Sequence, residues 1–204
     1  EDDQESRSRS RLLEINRNAA RYFYDQLNAP TPEAAMARRY WKEKRGLSDA
    51  AIRRFGLGYA PEDFGGLLHY LKRRGFSEEE LETSGLVKRS AKGNLYDIFR
   101  HRVMVPIIDV RGAIIAFGGR VLDDSKPKYV NSPETLVYHK SETVFAMQIA
   151  KRSASRRFVL CEGYMDVISM QQAGIDTAVC ACGTALTPCL LYTSPSPRDY
   201  AASR

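Results

Sequence analysis

The feature that most constrains the fold is a strand–helix–strand pattern late in the chain. An apolar run at 158–161 precedes a helical pattern at 165–173 and a second apolar run at 177–181. Two buried strands joined by a helix are typical of a β-α-β unit, in which the strands are parallel neighbours. Ligands bind such sheets at the carboxyl ends of the strands. Polar residues directly after the first run are therefore candidates for a functional site.

Two carboxylates follow that first run. Glu162 ends the predicted strand, Gly163 would allow a sharp turn, and Asp166 falls in the first turn of the predicted helix. Converging carboxylates repel each other unless a divalent cation neutralises them. An aspartate is also favoured at a helix N-terminus by the helix dipole alone, and a glutamate at a strand end can simply face water. The spacing alone leaves both interpretations open.

The pattern of residues 1–85 is mostly helical. Apolar residues recur every three or four positions over 12–27, and capping signals at Thr31, Ser48 and Ser77 predict further short helices. The aromatic residues of these helices, Tyr40 among them, are assigned to the core rather than to base stacking. The first ten residues are polar and of mixed charge, which is typical of a solvated linker.

Beyond residue 85 the pattern changes to strands. The segment 103–122 predicts two strands, and Pro106 places the first of them at a sheet edge or a bulge. The composition of 123–135 predicts a loop, and 145–153 predicts a helix. The N-terminal part of the chain therefore combines helices with a sheet.

Composition narrows the class of protein. The 204 residues are 43% hydrophobic and 27% charged, as in ordinary soluble globular proteins, and no apolar run could span a bilayer. No signal-peptide core opens the chain, so we expect a cytoplasmic location and no membrane partner. The net charge of +6 permits an anionic partner. Four cysteines lack zinc-site spacing and predict buried thiols: Cys161, Cys180, Cys182 and Cys189.

The two ends of the sequence suggest a fragment. The chain opens on Glu1, and its last residues, 190–204, are rich in Ser and Pro and abandon the strand–helix pattern. We expect this tail to be either a linker or a cloning artefact. A lone β-α-β unit cannot cover both faces of a parallel sheet, so we expect the domain that begins at residue 157 to be truncated.

Five motifs stand in a fixed order along the chain: RGLSDAAIRRFGLGYAP (45–61), FRHRVMVPIIDVRG (99–112), FGGRVL (117–122), KPKYVNSPET (126–135) and EGYMDVI (162–168). In this order they resemble the RNA-polymerase core of bacterial DNA primases of the DnaG type. The last motif looks like the start of a topoisomerase–primase (toprim) domain. A lone EG-x-x-D is weakly specific, whereas the ordered set is strongly specific.

The resemblance covers residues 11–188 and implies a fold of the α+β/α/β class. A helical and mixed α/β lobe at 11–156 would be followed by a truncated toprim domain, a Rossmann-like β-α-β unit, at 157–189. The linker at 1–10 and the atypical tail at 190–204 would flank them.

The resemblance also implies an activity. Primases are nucleotidyltransferases, DNA-directed RNA polymerases that synthesise short RNA primers on single-stranded DNA from nucleoside triphosphates during replication. We therefore expect a DNA template, nucleoside triphosphates and an RNA primer as partners. We expect the replicative helicase to bind through a missing C-terminal domain, and zinc to bind only in a missing N-terminal module.

Site residues follow by the same resemblance. Glu162 and Asp166 would bind Mg²⁺ or Mn²⁺, and Glu162, Lys128 and Lys140 would take part in catalysis. The expected nucleotide- and template-binding residues are Arg45, Arg100, Arg120, Lys128, Tyr129, Asn131 and Lys140. A D-x-D pair, which should complete the metal site after a further strand, is absent from the sequence, so this chain alone can be inactive.

Three alternatives stay open. Another toprim enzyme, such as a small ribonuclease or a topoisomerase-like nuclease, would share EG-x-x-D but not the basic loops. A non-catalytic toprim fragment that binds nucleic acid or nucleotide would keep the basic residues and lose the metals. A soluble α/β domain without an active site would show no salt-sensitive DNA binding, and its lysines and arginines would be solvated surface charges.

Overall fold

The structure, a computed structural model, describes residues 2–155 and 157–183. These residues form two compact units. The first comprises the chain up to Ile107 together with Ala113–Tyr138, and the second comprises Ile108–Gly112 together with the chain from His139 onward. The units divide the chain at residue 138, whereas the predicted domain boundary lies at residue 156.

The helices of the first unit come mostly before its strands in the chain. Its helices are α1 (Asp2–Leu27), α2 (Pro32–Arg39), α3 (Asp49–Arg54), α4 (Gly66–Lys72) and α5 (Glu78–Thr83), with a π-helix at Tyr40–Lys44 directly after α2. The predicted caps are confirmed, because the side chains of Thr31, Ser48 and Ser77 each accept a hydrogen bond from the first turn of the helix that follows. Local capping chemistry therefore defines these helix starts.

Residues 2–10 form the first turns of α1 and not the linker that their composition predicted. The side chains at 3–10 are exposed, which is why the segment is polar. Arg7 pairs with Asp3 one helical turn away, at 2.6 Å, and Arg9 donates a hydrogen bond to the carbonyl oxygen of Leu136. Such i,i+4 pairs favour helix on an exposed face.

The sheet of the first unit has four strands. Their order is β1 (Gly58–Ala60), β4 (Arg102–Ile108), β5 (Ile114–Val121) and β6 (Tyr129–Asn131), while β2 (Val87–Arg89) and β3 (Leu95–Asp97) form a separate antiparallel hairpin. The prediction for Pro106 was wrong, because β4 is an inner strand. Its pairing with β1 ends at Met104, so Pro106 is not required to donate to β1.

Helix α1 packs on this sheet around Phe23. The Phe23 ring meets Phe99 and Phe117 edge to face, with ring centroids 6.3 Å and 5.3 Å apart. A Cβ atom at Gly58 would lie 2.7 Å from the Cβ of Phe23, so only glycine allows the helix and β1 to approach so closely. The aromatic core therefore fixes the helical layer on the sheet.

The second unit contains the β-α-β element. Its elements are β7 (Val144–Phe145), α6 (Met147–Ala150), β8 (Val159–Leu160), α7 (Tyr164–Gln172) and β9 (Ala178–Ala181), and its sheet has the order β7-β9-β8. The parallel pairing of β8 with β9 is confirmed. Leu160 is 53% exposed, so β8 is less buried than its apolar residues predicted. Of the helices in the described part of the chain, none is both long and apolar enough to cross a membrane.

Strands also lie where none was predicted, and β1 is one of them, inside the region 1–85 whose pattern predicted mostly helix. β6 lies inside the predicted loop at 123–135, and β7 occupies the start of the predicted helix at 145–153, which shortens to α6. β6 pairs with β5, and β7 pairs with β9, antiparallel in both cases. The pairing of β7 with β9 also explains why residues 139–155 pack with the second unit. Both short strands depend on partners distant in sequence, which local composition does not reveal.

Asp97 caps helix α4 from outside the helix. Its carboxylate accepts hydrogen bonds from the backbone N–H groups of Leu67 and Leu68, at 2.8 Å and 2.9 Å, whereas the N-cap residue Gly65 offers no side chain. Only 3% of Asp97 is exposed. Burial raises the pKa of this carboxyl to about 6, although the two backbone hydrogen bonds act in the opposite direction.

Arg102 joins the sheet to the loop before β6. Its guanidinium donates to the carbonyl oxygens of Pro127 and Lys128, at 2.8 Å and 3.2 Å. The side chain passes beneath Gly119, where an added Cβ would lie 3.1 Å from the Cδ of Arg102. Burial lowers the pKa of Arg102, but an arginine stays charged at neutral pH. A buried charge thus orders the loop through backbone acceptors.

The raised pKa of Asp97 predicts a pH-dependent stability. Because the folded-state pKa lies above the unfolded value, the folded state binds more protons between about pH 4 and pH 6. The free energy of unfolding of the wild-type chain, minus that of an Asp97→Asn variant, should fall by about 3 kcal/mol as the pH rises from 4 to 7. Urea denaturation at each pH measures this difference.

The matched control is Asp123→Asn, because Asp123 is exposed and its pKa is lowered, chiefly by hydrogen bonding to Ser125. The free energy of unfolding of the wild-type chain, minus that of the Asp123→Asn variant, should be small and should rise with pH. A difference for Asp97 that stays flat or increases between pH 4 and pH 7 would show that burial does not control its protonation.

The Arg102 contacts predict a second result. An Arg102→Lys variant keeps the charge but loses the planar fork that reaches two carbonyl groups. The loop should then open more often, and limited trypsin digestion should cleave after Lys128 about tenfold faster. Mass spectrometry of the digest identifies the site. The control is Arg89→Lys, in an exposed arginine that pairs with Glu82; equal cleavage rates in both variants would contradict the role of Arg102.

Candidate functional site

The predicted site residues fall into the two units. The first unit holds six of them, Arg45, Arg100, Arg120, Lys128, Tyr129 and Asn131, and the second holds Lys140, Glu162 and Asp166.

Strands β5 and β6 bring three of these residues to one face of the sheet. Arg120 stands directly opposite Tyr129, and Gly118 stands opposite Asn131. Since side chains alternate along a strand, Arg120, Tyr129 and Asn131 share a face. The opposite face is closed at Gly119 by Phe99 and Arg102. This glycine therefore serves internal packing.

Arg120 is buried without a carboxylate partner. It is 8% exposed, and its guanidinium carbon lies 5.0 Å from the ring centroid of Tyr40 and 6.0 Å from that of Tyr129. Its Nη1 donates to the carbonyl oxygen of Val121 at 2.8 Å. Among the described residues, its Nε has no hydrogen-bond partner and no carboxylate lies within ion-pair distance. The charge is stabilised by aromatic faces and stays available to an anion.

Arg45 joins the same group through Tyr40. Its Nε donates a hydrogen bond to the Tyr40 hydroxyl oxygen at 2.7 Å, and its guanidinium carbon lies 5.4 Å from the Tyr40 ring centroid. Lys128 is exposed directly before β6. The first unit therefore brings Arg45, Arg120 and Tyr129 together, with Lys128 and Asn131 beside Tyr129 in the chain.

Arg100 belongs to a second aromatic cluster. Its guanidinium carbon lies 4.6 Å from the ring centroid of Phe64 and 5.4 Å from that of Tyr96, and Nη1 donates to the Asp97 carbonyl oxygen. Phe64 is 65% exposed. Sequence reasoning missed Phe64. Its spacing gave no signal, because Phe64 stands three and four residues before Leu67 and Leu68 and so fits the apolar period of the predicted helix.

The two predicted carboxylates of the second unit lie between the end of β8 and the first turn of α7. Glu162 follows β8, Asp166 is in the first turn of α7, and both are exposed. The chain bends at Glu162 and Gly163, as predicted. Gly163 has extended backbone angles, φ −154° and ψ 170°, which any residue can adopt, so the bend does not require glycine. Within 2–155 and 157–183, no three His, Cys, Asp or Glu side chains are close enough together to hold a metal ion.

Two exposed carboxylates are nevertheless a suitable partial ligand set for Mg²⁺. This ion usually retains several waters and takes one or two protein carboxylates together with substrate phosphate oxygens. Glu162 and Asp166 fit that part of the requirement. The chemistry of the site therefore permits a divalent cation that phosphate oxygens help to hold.

Lys140 lies at the same edge of the sheet. A Cβ atom at Gly183, just after β9, would lie 3.2 Å from the carbonyl oxygen of Lys140. Because β8 and β9 are parallel, their carboxyl ends meet at one edge. The second unit thus places a lysine and two carboxylates at one end of its β-α-β element.

The cysteines take no part in this arrangement as nucleophiles. Cys161, Cys180 and Cys182 are thiols and not disulfides, half-buried in the first case and buried in the others. Burial raises the pKa of Cys161 and of Cys180, which disfavours the reactive thiolate. The prediction of buried thiols is confirmed for Cys180 and Cys182, and Cys189 lies outside the described residues.

Comparison with family models supports one family. The model of the N-terminal domain of the DNA primase catalytic core matches residues 22–151, and a toprim-domain model matches residues 156–189. The DNA primase of Clostridium acetobutylicum is 44% identical over 178 residues, covering 87% of this chain and 29% of that protein. The DNA primase of Deinococcus radiodurans is 45% identical over 179 residues, covering 86% and 30%. The chain thus spans less than a third of these relatives.

Solved structures agree with this match. A DnaG primase catalytic domain bound to single-stranded DNA superposes with a TM-score of 0.84 at 38% identity, covering 93% of this chain and 61% of that one. The RNA polymerase domain of the Mycobacterium tuberculosis primase DnaG, in complex with a double-stranded DNA oligomer with a 6-nucleotide overhang, gives 0.83 at 41% identity, covering 90% and 58%. The predicted fold class is confirmed, and the chain belongs to the family of DnaG-type DNA primases.

Proposed function

We propose that the chain is part of the RNA-polymerase core of a DNA primase, which synthesises RNA primers on single-stranded DNA from nucleoside triphosphates. The observation that carries this proposal is the face of β5 and β6. There Arg120, buried and without a carboxylate partner among the described residues, stands beside Tyr129 and Asn131. An unneutralised arginine between aromatic rings suits a phosphate ligand.

Two kinds of interaction would bind the template and the nucleotide: ionic contacts with phosphates and stacking on bases. Arg45, Arg120 and Lys128 would neutralise phosphates, and this makes binding salt-dependent. Phe64 and Tyr129, which are 65% and 43% exposed, would stack on bases, as aromatic side chains do in single-strand binding proteins. Arg100, which lies over Phe64, would add a cation beside one of these rings.

The reaction would be nucleotidyl transfer. A primer 3′-hydroxyl attacks the α-phosphorus of the incoming triphosphate, and pyrophosphate leaves. Mg²⁺ or Mn²⁺, held by Glu162 and Asp166 together with phosphate oxygens, would supply charge stabilisation at the reacting phosphate. Lys140 would neutralise the triphosphate, and Glu162 could also accept the proton of the attacking hydroxyl.

A second candidate is a binding fragment without catalysis. It is favoured by one observation: among the described residues no group of three metal-ligating side chains is present. Magnesium-dependent primer synthesis separates the two candidates, because a binding fragment would bind DNA with no need for metal. A helicase partner, a zinc module and a cytoplasmic location remain predictions from the resemblance.

Lys128 provides the test of template binding. An Lys128→Ala variant should bind a fluorescein-labelled oligodeoxythymidylate more weakly. It should also lower the slope of log affinity against log salt by about 0.7, the value for one lost phosphate contact on a single strand. Fluorescence anisotropy over a salt series measures both quantities. Lys92→Ala removes the same charge from the β2–β3 turn and should change neither; an equal effect of both variants would mean that only net charge matters.

Glu162 provides the test of catalysis, in the complete protein from the source gene. A Glu162→Gln variant should lower the rate of magnesium-dependent primer synthesis on the order of 10²-fold or more. Its affinity for single-stranded DNA should stay close to that of the wild type. Glu142→Gln, in an exposed residue of the same unit, is the control and should retain activity. Full activity of the Glu162→Gln variant would overturn the role assigned to Glu162.

A further inference from the structure

We infer that Tyr40 is a positioning residue, which orders Arg45 and Arg120 as a preformed pair for phosphate groups of the template or the nucleotide. The inference rests on the proposed function of these two arginines. It concerns a residue that its helical period assigned to the core, and Tyr40 is indeed only 6% exposed. Its contacts differ from those of an ordinary core tyrosine.

The π-helix places Arg45 over Tyr40. The backbone N–H of Arg45 donates to the carbonyl oxygen of Tyr40 at 3.1 Å, five residues back. In an α-helix, with 3.6 residues per turn, residue i+5 would lie about 140° around the axis from residue i. The wider i→i+5 turn brings the two residues close to alignment. The π-helical backbone therefore directs the Arg45 side chain over the Tyr40 ring.

Tyr40 then contacts cations from two elements. Its hydroxyl oxygen accepts from Nε of Arg45 at 2.7 Å, and the guanidinium carbons of Arg45 and Arg120 lie 5.4 Å and 5.0 Å from its ring centroid. Arg120 comes from β5, far away in the sequence. The two guanidinium groups thus share one ring, whose negative face and phenol oxygen attract positive charge.

The ring itself is held in place. It packs edge to face on Trp41, with centroids 5.4 Å apart, and Trp41 is fully buried. The hydrogen bond to Tyr40 uses Nε of Arg45, and within the described residues the two terminal nitrogens of Arg45 make no hydrogen bond. An anion can therefore meet a guanidinium whose orientation is already set, and less side-chain entropy is lost on binding.

A core tyrosine of the same chain provides the comparison. Tyr59 is 1% exposed, and its hydroxyl has no hydrogen-bond partner among the described residues. If Tyr40 served packing alone, removal of its hydroxyl would resemble removal of the Tyr59 hydroxyl. If Tyr40 orients Arg45, the effect of that removal must depend on whether Arg45 is present.

A four-variant cycle tests this dependence: wild type, Tyr40→Phe, Arg45→Ala and the double variant. Affinity for the labelled oligodeoxythymidylate is measured by anisotropy, and thermal unfolding is followed for each variant. Tyr40→Phe should weaken DNA binding about tenfold in the wild-type background, since one hydrogen bond to a charged group is lost. In the Arg45→Ala background the same change should alter affinity by less than about twofold, within ordinary additivity error.

Each outcome has a distinct meaning. An equal loss of affinity in both backgrounds, or a change in thermal stability alone, would show that Tyr40 is structural and would overturn the inference. Tyr59→Phe should leave DNA affinity unchanged, and a loss equal to that of Tyr40→Phe would also overturn it. If the wild-type chain binds the oligonucleotide without salt dependence, the proposed function itself fails, which is a different result from an absent coupling.

Discussion

A buried guanidinium requires hydrogen-bond acceptors. The acceptors of Arg102 are carbonyl groups of the loop before β6, and these hydrogen bonds set the position of that loop beside the sheet. It passes beneath Gly119 and donates to the carbonyl oxygens of Pro127 and Lys128. The loop is therefore held by a charged residue that is only 7% exposed. Lys128 and Tyr129 owe their positions to this contact, and Tyr129 in turn lies against Arg120.

Two groups of arginines in the first unit differ in the partners of their charge. Arg7, Arg21 and Arg89 pair with carboxylates on exposed surfaces, where such pairs contribute little stability and cancel positive charge. The arginines that we expect to bind nucleic acid lie instead over aromatic rings: Arg45, Arg100 and Arg120. An aromatic face orients a guanidinium without neutralising it. The choice of partner thus separates cations that stabilise the surface from cations available to phosphate.

Features with a local cause could be predicted from the sequence, and features with distant causes could not. The caps at Thr31 and Ser77 and the β-α-β element each depend on residues close together in the chain. The short strand Tyr129–Asn131 looked like a loop because its pairing partner, not its composition, makes it a strand. The role of Tyr40 was hidden for the same reason, since one of its two arginines comes from β5. The candidate site residues could be named from motifs, but their grouping into two units required the fold.

Asp97 links helix α4 to the β2–β3 hairpin and to the aromatic cluster around Arg100 by hydrogen bonds. Its carboxylate caps α4, its N–H donates to the carbonyl oxygen of Phe64 at 2.8 Å, and its own carbonyl oxygen accepts from Arg100. Hydrogen bonds that converge on one residue break together, so hairpin, helix and aromatic cluster should open as a single cooperative segment. Because the Phe64 carbonyl oxygen is one of these acceptors, the position of this exposed residue should depend on whether the hairpin is closed.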